Sequence, residues 1–505
     1  MEKNSLSEHI FLFPFTWKYM TNKKNDLFLQ HLQIQDKGFE SLQNWQQNTI
    51  HIQEDKEYNE FVYFYKPVRS ALYTFQKAPL IVRNYCYKGL EEDNYFIIGV
   101  DQKEYILQVK ELRLKLYKTG IGILSMTLCN KKYEVIQDIQ NINSFSKCIY
   151  PPMLPIEKAK EELFPDYIKI KLNTHQKIEE HFTGDYYKEA ITITPLIMTI
   201  LGKPFISKEE EHRQESLFIE PVLGNQMFCL CLYKNQKILE AIQHGAIDDH
   251  LIESFMTINK KIIYHQEEAI KEQAELAIEY LRSEGNIYGV SRFSLVGISK
   301  QLLKSKLYDQ LVSLVIMQRA TLLSLSTEIA RVSTLPKYDL VPAIQSIYEI
   351  YIQFINQLYF KEVTEDIQGS RIYDKLSKQL RIEEELRQLD FEINEVHEYA
   401  ALIEQSESKF KVQLLTIIGA ALVIPTFATG FFGMNIFKEE IIRWWINKNV
   451  VLWMNGYVFL PIMVMVALCT WTRRRTRATY IKHMLLMGVI AISLLVIIKY
   501  GCGLG

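Results

Sequence analysis

Along the first 295 positions, apolar residues fall in short runs typical of strands; beyond about Ser299 they recur every three or four positions. Glu111–Tyr117, ELRLKLY, is the plainest strand: Leu112, Leu114 and Leu116 face one way, and Arg113 and Lys115 the other. Lys118-Thr119-Gly120 breaks the run and Ile121–Leu128 resumes it. This predicts a hairpin, with Gly120 and Gly122 as hairpin residues and not as a phosphate cradle. YFIIGV (95–100), EFVYFY (60–65) and MFCLCLY (227–233) are further predicted strands. Helical spacing through Val135, Ile136, Ile139, Ile142 and Phe145 predicts a helix over Tyr133–Cys148, before Pro151-Pro152. Asp248 to about Glu284 reads as a long polar-rich helix. The expectation for 1–295 is an α+β domain.

From Lys300 the pattern is helical. Leu303, Leu307, Leu311, Leu314, Met317, Leu322, Leu325 and Ile329 predict a helix to Ser333, stopped by Leu335-Pro336, and Asp339–Phe360 predicts the next. Gln318 and Arg319 interrupt the apolar stretch 311–325, which therefore reads as a core helix and not a membrane span. From Leu386 the apolar positions follow a heptad pattern through Leu389, Ile393, Val396, Ala400 and Ile403, then Phe410, Leu414, Ile417, Ala421 and Ile424. Neither Gly nor Pro occurs between Asp374 and Lys411, so one helix is expected from near Asp374 to Gly433, roughly 90 Å long at about 1.5 Å per residue. One narrow apolar seam on so long a helix asks for copies of itself or a partner hairpin.

Three uncharged runs follow. Val412–Phe432 is long enough to span a bilayer. Val450–Thr472 is the second, followed by RRRTR at Arg473–Arg477, a cluster expected on the cytoplasmic side. Met484–Ile498, between Lys482 and Lys499, is taken as a third span. Lys409 and Lys411 then sit at the lipid headgroups. The organisation predicted is a cytosolic sensor or regulatory domain (1–295), a helical bundle (296–373), a stalk helix (374–411), a first transmembrane helix (412–435), an outer loop (436–449), a second transmembrane helix (450–472) and a third (483–500).

Composition adds little to this layout. Lys+Arg number 58 and Asp+Glu 59, a balance that points to no polyanionic partner, so no direct nucleic-acid binding is expected. The seven cysteines show no metal-site spacing and read as buried thiols of a reducing compartment. The N-terminus MEKNSLSEHIFLFPF lacks a signal-peptide core, so the first domain is expected in the cytosol. No GxxxxGK[ST], HExxH or GxSxG motif is present, and no enzyme is expected.

QLLTIIGAALVIPTFATGFFGMN (413–435) resembles the first membrane helix of the CorA family of magnesium channels, with its Pro, its Thr-Phe pair and the terminal Gly-Met-Asn. The resemblance implies a CorA-like homopentamer in the inner membrane, multi-pass, with five stalk helices around a pore. It places Gly433, Met434 and Asn435 at the outer mouth, Thr426 on a second polar ring, and Val423, Gly419, Leu415 and Val412 at the apolar constriction. Mg²⁺ or another divalent cation would pass hydrated, held through its waters by the Asn435 amides. The outer loop IFKEEIIRWWINKN departs from the family's short acidic one, and the third span is extra. With the long N-terminal domain, these departures resemble the CorA-like membrane effectors of type III CRISPR loci. That branch implies an antiviral channel opened by a nucleotide second messenger joining S-adenosylmethionine to AMP. The alternative is a housekeeping CorA-type Mg²⁺ transporter gated by cytosolic Mg²⁺. Candidate ligand residues are Tyr288 and Arg292, flanking a short Gly/Ser stretch and suited to a ring and a phosphate, and Gln318 and Arg319, polar among leucines.

Overall fold

A computed structural model describes residues 5–20, 42, 44–75, 81–90, 93–147, 164–172, 176–182, 193–207, 216–224, 226–243, 252, 255–256, 258, 279–283, 286–300, 304–433, 452, 455–456 and 460. Two compact units are present, Met1–His397 and Glu398–Gly505.

The first unit is built on a mixed sheet. Its strands are β1 (Ser7–Met20), β2 (Trp45–Gln47), β3 (Val82–Tyr87), β4 (Tyr95–Val100), β5 (Lys103–Tyr117), β6 (Ile121–Asn130), β7 (Tyr167–Leu172), β8 (Gln176–His181), β9 (Phe205–Ile206), β10 (Ser216–Pro221), β11 (Phe228–Lys234), β12 (Glu279–Ser283), β13 (Asn286–Val290) and β14 (Ser294–Ser299). The helices are α1 (Asp55–Val62), α2 (Lys66–Leu72), α3 (Ile136–Ser146), α4 (Pro195–Leu201), α5 (Gln236–Gln243), α6 (Ser305–Val332), α7 (Lys337–Gln357), α8 (Ile367–Gln379) and α9 (Ile382–Gly433). The fourteen strands described form one sheet in the order β12-β13-β14-β11-β1-β6-β5-β4-β7-β8. β10 continues the β1 edge past β11, and β3 continues the β5 edge past β4. Pairing is antiparallel except between β11 and β14 and between β9 and β10.

The predicted hairpin is β5–β6. Gly120 turns it at a φ of 81°, where a side chain would be strained, and a Cβ on Gly122 would come within 2.4 Å of the Phe15 ring on β1. Within β5 the core-facing positions change phase. Tyr105, Leu107 and Val109 are buried at odd numbers, then Leu112, Leu114 and Leu116 at even ones. The change falls at a bulge between Val109 and Glu111, which inserts Lys110. Without the extra residue, one half of β5 would turn its leucines away from the core. Phe11, Phe13, Phe15 and Trp17 of β1 share that core, with Leu124, Met126 and Leu128 of β6, Ile139 and Ile142 of α3 and Ile200 of α4.

The opposite face is covered as well. α6 lies along it, tied by Arg113 to Asp309, Lys115 to Gln310, Ser125 to Asp309 and Lys18 to Glu328. Arg113 and Lys115 therefore face a helix, not solvent, and Lys115 is 2% exposed.

The predicted strands at 95–100 and 227–233 are present within one residue of their expected bounds, and the helices at 300–333 and 339–360 are α6 and α7. EFVYFY is not a strand. Its first three residues end α1, which a reciprocal Glu54–Glu57 capping box starts, and Phe64 makes only an isolated bridge to Thr364. Most of the polar helix expected over 248–284 lies outside the described residues, and its end, 279–283, is strand β12. The stalk does not begin at Asp374. α8 ends at Gln379, Arg381 takes a φ of 52°, and α9 starts at Ile382.

The expected transmembrane architecture is corrected. Among the described residues no helix is long and apolar enough to cross a membrane. The run Val412–Phe432 is the end of α9, a single 52-residue helix whose earlier turns carry Glu383, Glu384, Glu385, Lys409 and Lys411. Gln413, Thr416, Thr426 and Thr429 place polar groups within the run. The transmembrane part of the expected fold and the multi-pass inner-membrane location fall with that span. The runs 450–472 and 484–498 lie almost wholly outside the described residues.

Candidate functional site

The principal cleft opens where the start of β1, the β5 bulge and the first turn of α6 meet. It has a volume of about 1300 Å³. Glu8 comes from β1, Lys110 and Glu111 from the bulge, and Lys304, Ser305, Lys306 and Leu307 from the α6 entry. α1 and the residue after it add Lys56, Asn59, Glu60 and Tyr63, and the end of β3 adds Tyr87, Gly89 and Leu90. A second cavity of about 380 Å³ shares Glu60, Glu111 and Lys306 with the first and is lined by Asn84, Cys86, Arg113, Lys115 and Gln310. Together the two carry six Lys and Arg side chains (Lys56, Lys110, Arg113, Lys115, Lys304, Lys306) against Glu8, Glu57, Glu60 and Glu111.

The floor is an ion network. Arg113 grips Glu111 with two parallel bonds (Nε to Oε1, 2.5 Å; Nη2 to Oε2, 2.6 Å) and reaches Asp309 Oδ2 through Nη1 at 3.1 Å. Ser125 Oγ donates to the other Asp309 oxygen at 3.1 Å. Lys115 Nζ donates to Gln310 Oε1 at 2.7 Å. Burial alone would raise the Glu111 carboxyl; the Arg113 charge and hydrogen bonds together carry it below the usual carboxylate range. Burial pulls the Lys115 ammonium down to about 8, against the attraction of Asp309. At the rim, Lys110 Nζ holds Glu8 Oε1 at 2.6 Å.

α6 enters the cleft at Lys304, which sits at a φ of 70° and whose own side chain makes no cap hydrogen bond. The first-turn amides and the helix dipole favour an anion. Lys304 Nζ donates to Asp366 Oδ1 at 3.2 Å, and the Tyr63 hydroxyl donates to Asp366 Oδ2 at 2.9 Å.

The sequence-chosen ligand residues are not brought together. Tyr288 is buried on β13, its hydroxyl 3.4 Å from that of Tyr308 and its ring edge-on to it at 5.8 Å; it stands behind the first turn of α6. Arg292 is exposed in the β13–β14 turn. Gln318 and Arg319 lie ten and eleven residues beyond Tyr308, about 15 Å along the helix. Gln318 Nε2 donates to the Leu358 carbonyl (2.9 Å) and to the Tyr373 hydroxyl (3.1 Å), which is why an amide sits among leucines. Arg319 Nη1 lies 2.7 Å from Glu385 Oε1. Of the residues assigned to a pore, Val412, Leu415, Gly419, Val423 and Thr426 are exposed on α9, and Thr426 Oγ1 donates to the Leu422 carbonyl at 2.7 Å. Gly433 is the last residue of α9, while Met434 and Asn435 lie outside the described residues.

The cleft residues missed from the sequence are Glu8, Lys56, Lys110, Glu111, Lys304 and Lys306. Two signals were present: the phase change of β5 at Lys110, and Lys304-Ser305-Lys306 immediately ahead of an apolar helix. Among the described residues no group of three or more His, Cys, Asp or Glu converges to hold a metal ion. Ser7, His9 and Asn143 align like a nucleophile, base and orienter (Oγ to Nε2, 2.8 Å; Nδ1 to Oδ1, 2.6 Å). All three are fully buried, burial pushes the imidazole down to about 4, and they line neither cavity. They tie β1 to α3. No family model, curated protein or solved structure matches the chain.

Proposed function

We propose that the sheet domain is a ligand sensor whose cleft takes an anionic, ring-bearing ligand of nucleotide type. The observation that carries this reading is the convergence of Lys56, Lys110, Lys304 and Lys306 with the start of α6 on one large cleft. Tyr63, Tyr87 and Leu90 give the same cleft a surface for a ring. Its volume exceeds that of a usual single small-ligand pocket, about 300–1,000 Å³, and suits a ligand with two nucleoside-sized halves. α6 links the cleft to the long helix: its first turn faces the ligand, and Arg319, further along, holds Glu385 at the start of α9. The resemblance to CorA-like effectors of type III CRISPR loci gives the ligand a specific form, a second messenger joining S-adenosylmethionine to AMP, and gives the response a setting in antiviral defence. The transport readings depend on the membrane spans corrected above and are not carried further.

Calorimetric titration of the full chain with ATP tests the site. Lys306→Glu is expected to weaken binding by about 10- to 100-fold, the loss of a charge-assisted contact, with the melting midpoint unchanged. Equal affinity for both proteins would move the ligand elsewhere.

The output side of the reading is self-association. Phe391, Tyr399, Leu402, Phe410, Val412, Leu415, Ile417 and Val423 of α9 are exposed apolar side chains; Phe410 and Ile417 lie on the heptad seam and the others beside it, and copies of the same helix are the partner we assign to them. Leu402→Glu combined with Leu415→Glu is expected to reduce the sedimenting species to a single chain. An unchanged assembly, or a wild-type protein that is itself monomeric, removes this step.

A further inference from the structure

Asp366 lines neither cavity, yet two residues of the cleft wall, Lys304 and Tyr63, converge on its carboxylate. Lys304 Nζ donates to Oδ1 at 3.2 Å, and the Tyr63 hydroxyl donates to Oδ2 at 2.9 Å. Oδ2 also accepts from the Gly369 amide at 2.9 Å, which makes Asp366 the N-cap of α8. The Lys304 ammonium stands 5.8 Å from the centre of the Tyr63 ring, so the three side chains form one cluster. Burial would raise the Asp366 carboxyl; the Gly369 amide, the Tyr63 hydroxyl and Lys304 together carry it below the usual range, so the cap is a charged group.

The sequence is fitted to this contact. Gly369 is the third residue of α8, where glycine is a poor helix former. A Cβ there would run into the Tyr63 hydroxyl and lie 3.0 Å from Thr364 Cγ2, so glycine admits the tyrosine to the first turn. The backbone around Tyr63 is tied to the same place. Thr364 Oγ1 donates to the Tyr63 carbonyl at 2.5 Å, and the Tyr65 amide donates to the Val363 carbonyl at 3.0 Å.

We propose that Asp366 couples the cleft to α8: a ligand anion and Asp366 compete for the Lys304 ammonium, so binding withdraws a cation from the helix cap. This rests on the nucleotide reading above and adds the regulation of that site. An ammonium neutralised by Asp366 is worth less to an anion at the start of α6, and one drawn to the anion is worth less to Asp366. The linkage is reciprocal, so removing the Asp366 charge strengthens the ligand. α8 ends at Gln379 and α9 starts at Ile382, so the helix that feels the cleft is the one that leads into the long helix.

The test is calorimetric titration of the full chain with ATP in a four-protein cycle: wild type, Asp366→Asn, Lys304→Met and the double variant. Asparagine caps a helix about as well as aspartate, so Asp366→Asn keeps α8 and removes the competing charge. It is expected to bind ATP about two- to fivefold more tightly than the wild type, the worth of a part-exposed ion pair. In the Lys304→Met background the same change is expected to alter affinity by less than about 1.5-fold, because the competition has lost its object. An equal gain in both backgrounds means a charge acting at a distance and overturns the coupling, as does no gain in either. Hydrogen exchange over 367–379 decides the matter if Lys304→Met binds no ATP. ATP is expected to speed exchange there in the wild type and not in Asp366→Asn; unchanged or slowed exchange in the wild type overturns the coupling. Each of these failures leaves the nucleotide site intact, whereas a wild type that binds no ATP overturns both.

Discussion

Replacing Asp309 with leucine is expected to cost the chain about 3–5 kcal/mol, the loss typical of breaking a buried ion pair from one side. Asp309 is 1% exposed, and both its oxygens are used, one by Arg113 and one by Ser125. Two cations, Arg113 and Lys115, lie beneath α6 with Glu111 and Asp309 as the carboxylates that balance them. Leucine removes one of the two anions and leaves the cations facing each other in a low-dielectric layer. Urea denaturation followed by circular dichroism would show a lower midpoint. A second substitution sharpens the result: adding Lys115→Met removes one of the stranded charges, so the double variant should recover part of the loss and the two changes should be non-additive. A cost below about 1 kcal/mol, or simple additivity, would mean that α6 is held by its apolar contacts alone.

The same network explains what the sequence shows and what it hides. Strands whose one face meets a core are legible by alternation, as with Leu112, Leu114 and Leu116. The opposite face of β5 was not legible, because charged residues at alternating positions usually mark solvent, and nothing local reveals that a helix almost two hundred positions later brings Asp309 and Gln310 to meet Arg113 and Lys115. The break at Arg381 had no Gly or Pro to announce it; the residue takes a left-handed conformation that arginine seldom adopts. EFVYFY misled because aromatic density outweighed the helix start at Glu54 and Glu57. The cleft is assembled from β1, β5, α1 and the entry to α6, so its charges are scattered from Glu8 to Lys306 and form no motif. Gln318 and Arg319 were conspicuous for a sound reason, since polar groups among leucines must be satisfied, but here Leu358, Tyr373 and Glu385 supply the partners. The uncharged run of α9 shows the reverse error, in which a chemical property of a segment was taken for its structural role.

Stability above neutral pH should rise through Lys115. Unfolded, its ammonium holds a proton until about pH 10.5; folded, burial brings that value to about 8. Below pH 8 both states are protonated, and the penalty of the buried charge is constant. Between pH 8 and 10.5 the unfolded chain binds more protons than the folded one, so raising the pH favours folding. The difference of the two values corresponds to a gain of about 2–4 kcal/mol across that window. Buried tyrosines act in the opposite sense, since burial raises Tyr117 and Tyr308, and their ionisation in the unfolded chain opposes folding as pH climbs. The informative quantity is therefore the difference between wild type and Lys115→Met, measured by urea denaturation at pH 7.5, 9 and 10.5. Methionine keeps the stem and removes the charge, so the variant should be the more stable protein at pH 7.5, with its advantage shrinking as the wild-type ammonium discharges. Parallel curves would mean that Asp309 and Gln310 hold the Lys115 proton as firmly as water does, and that the inner cavity carries a full positive charge at every pH at which the cleft binds its ligand.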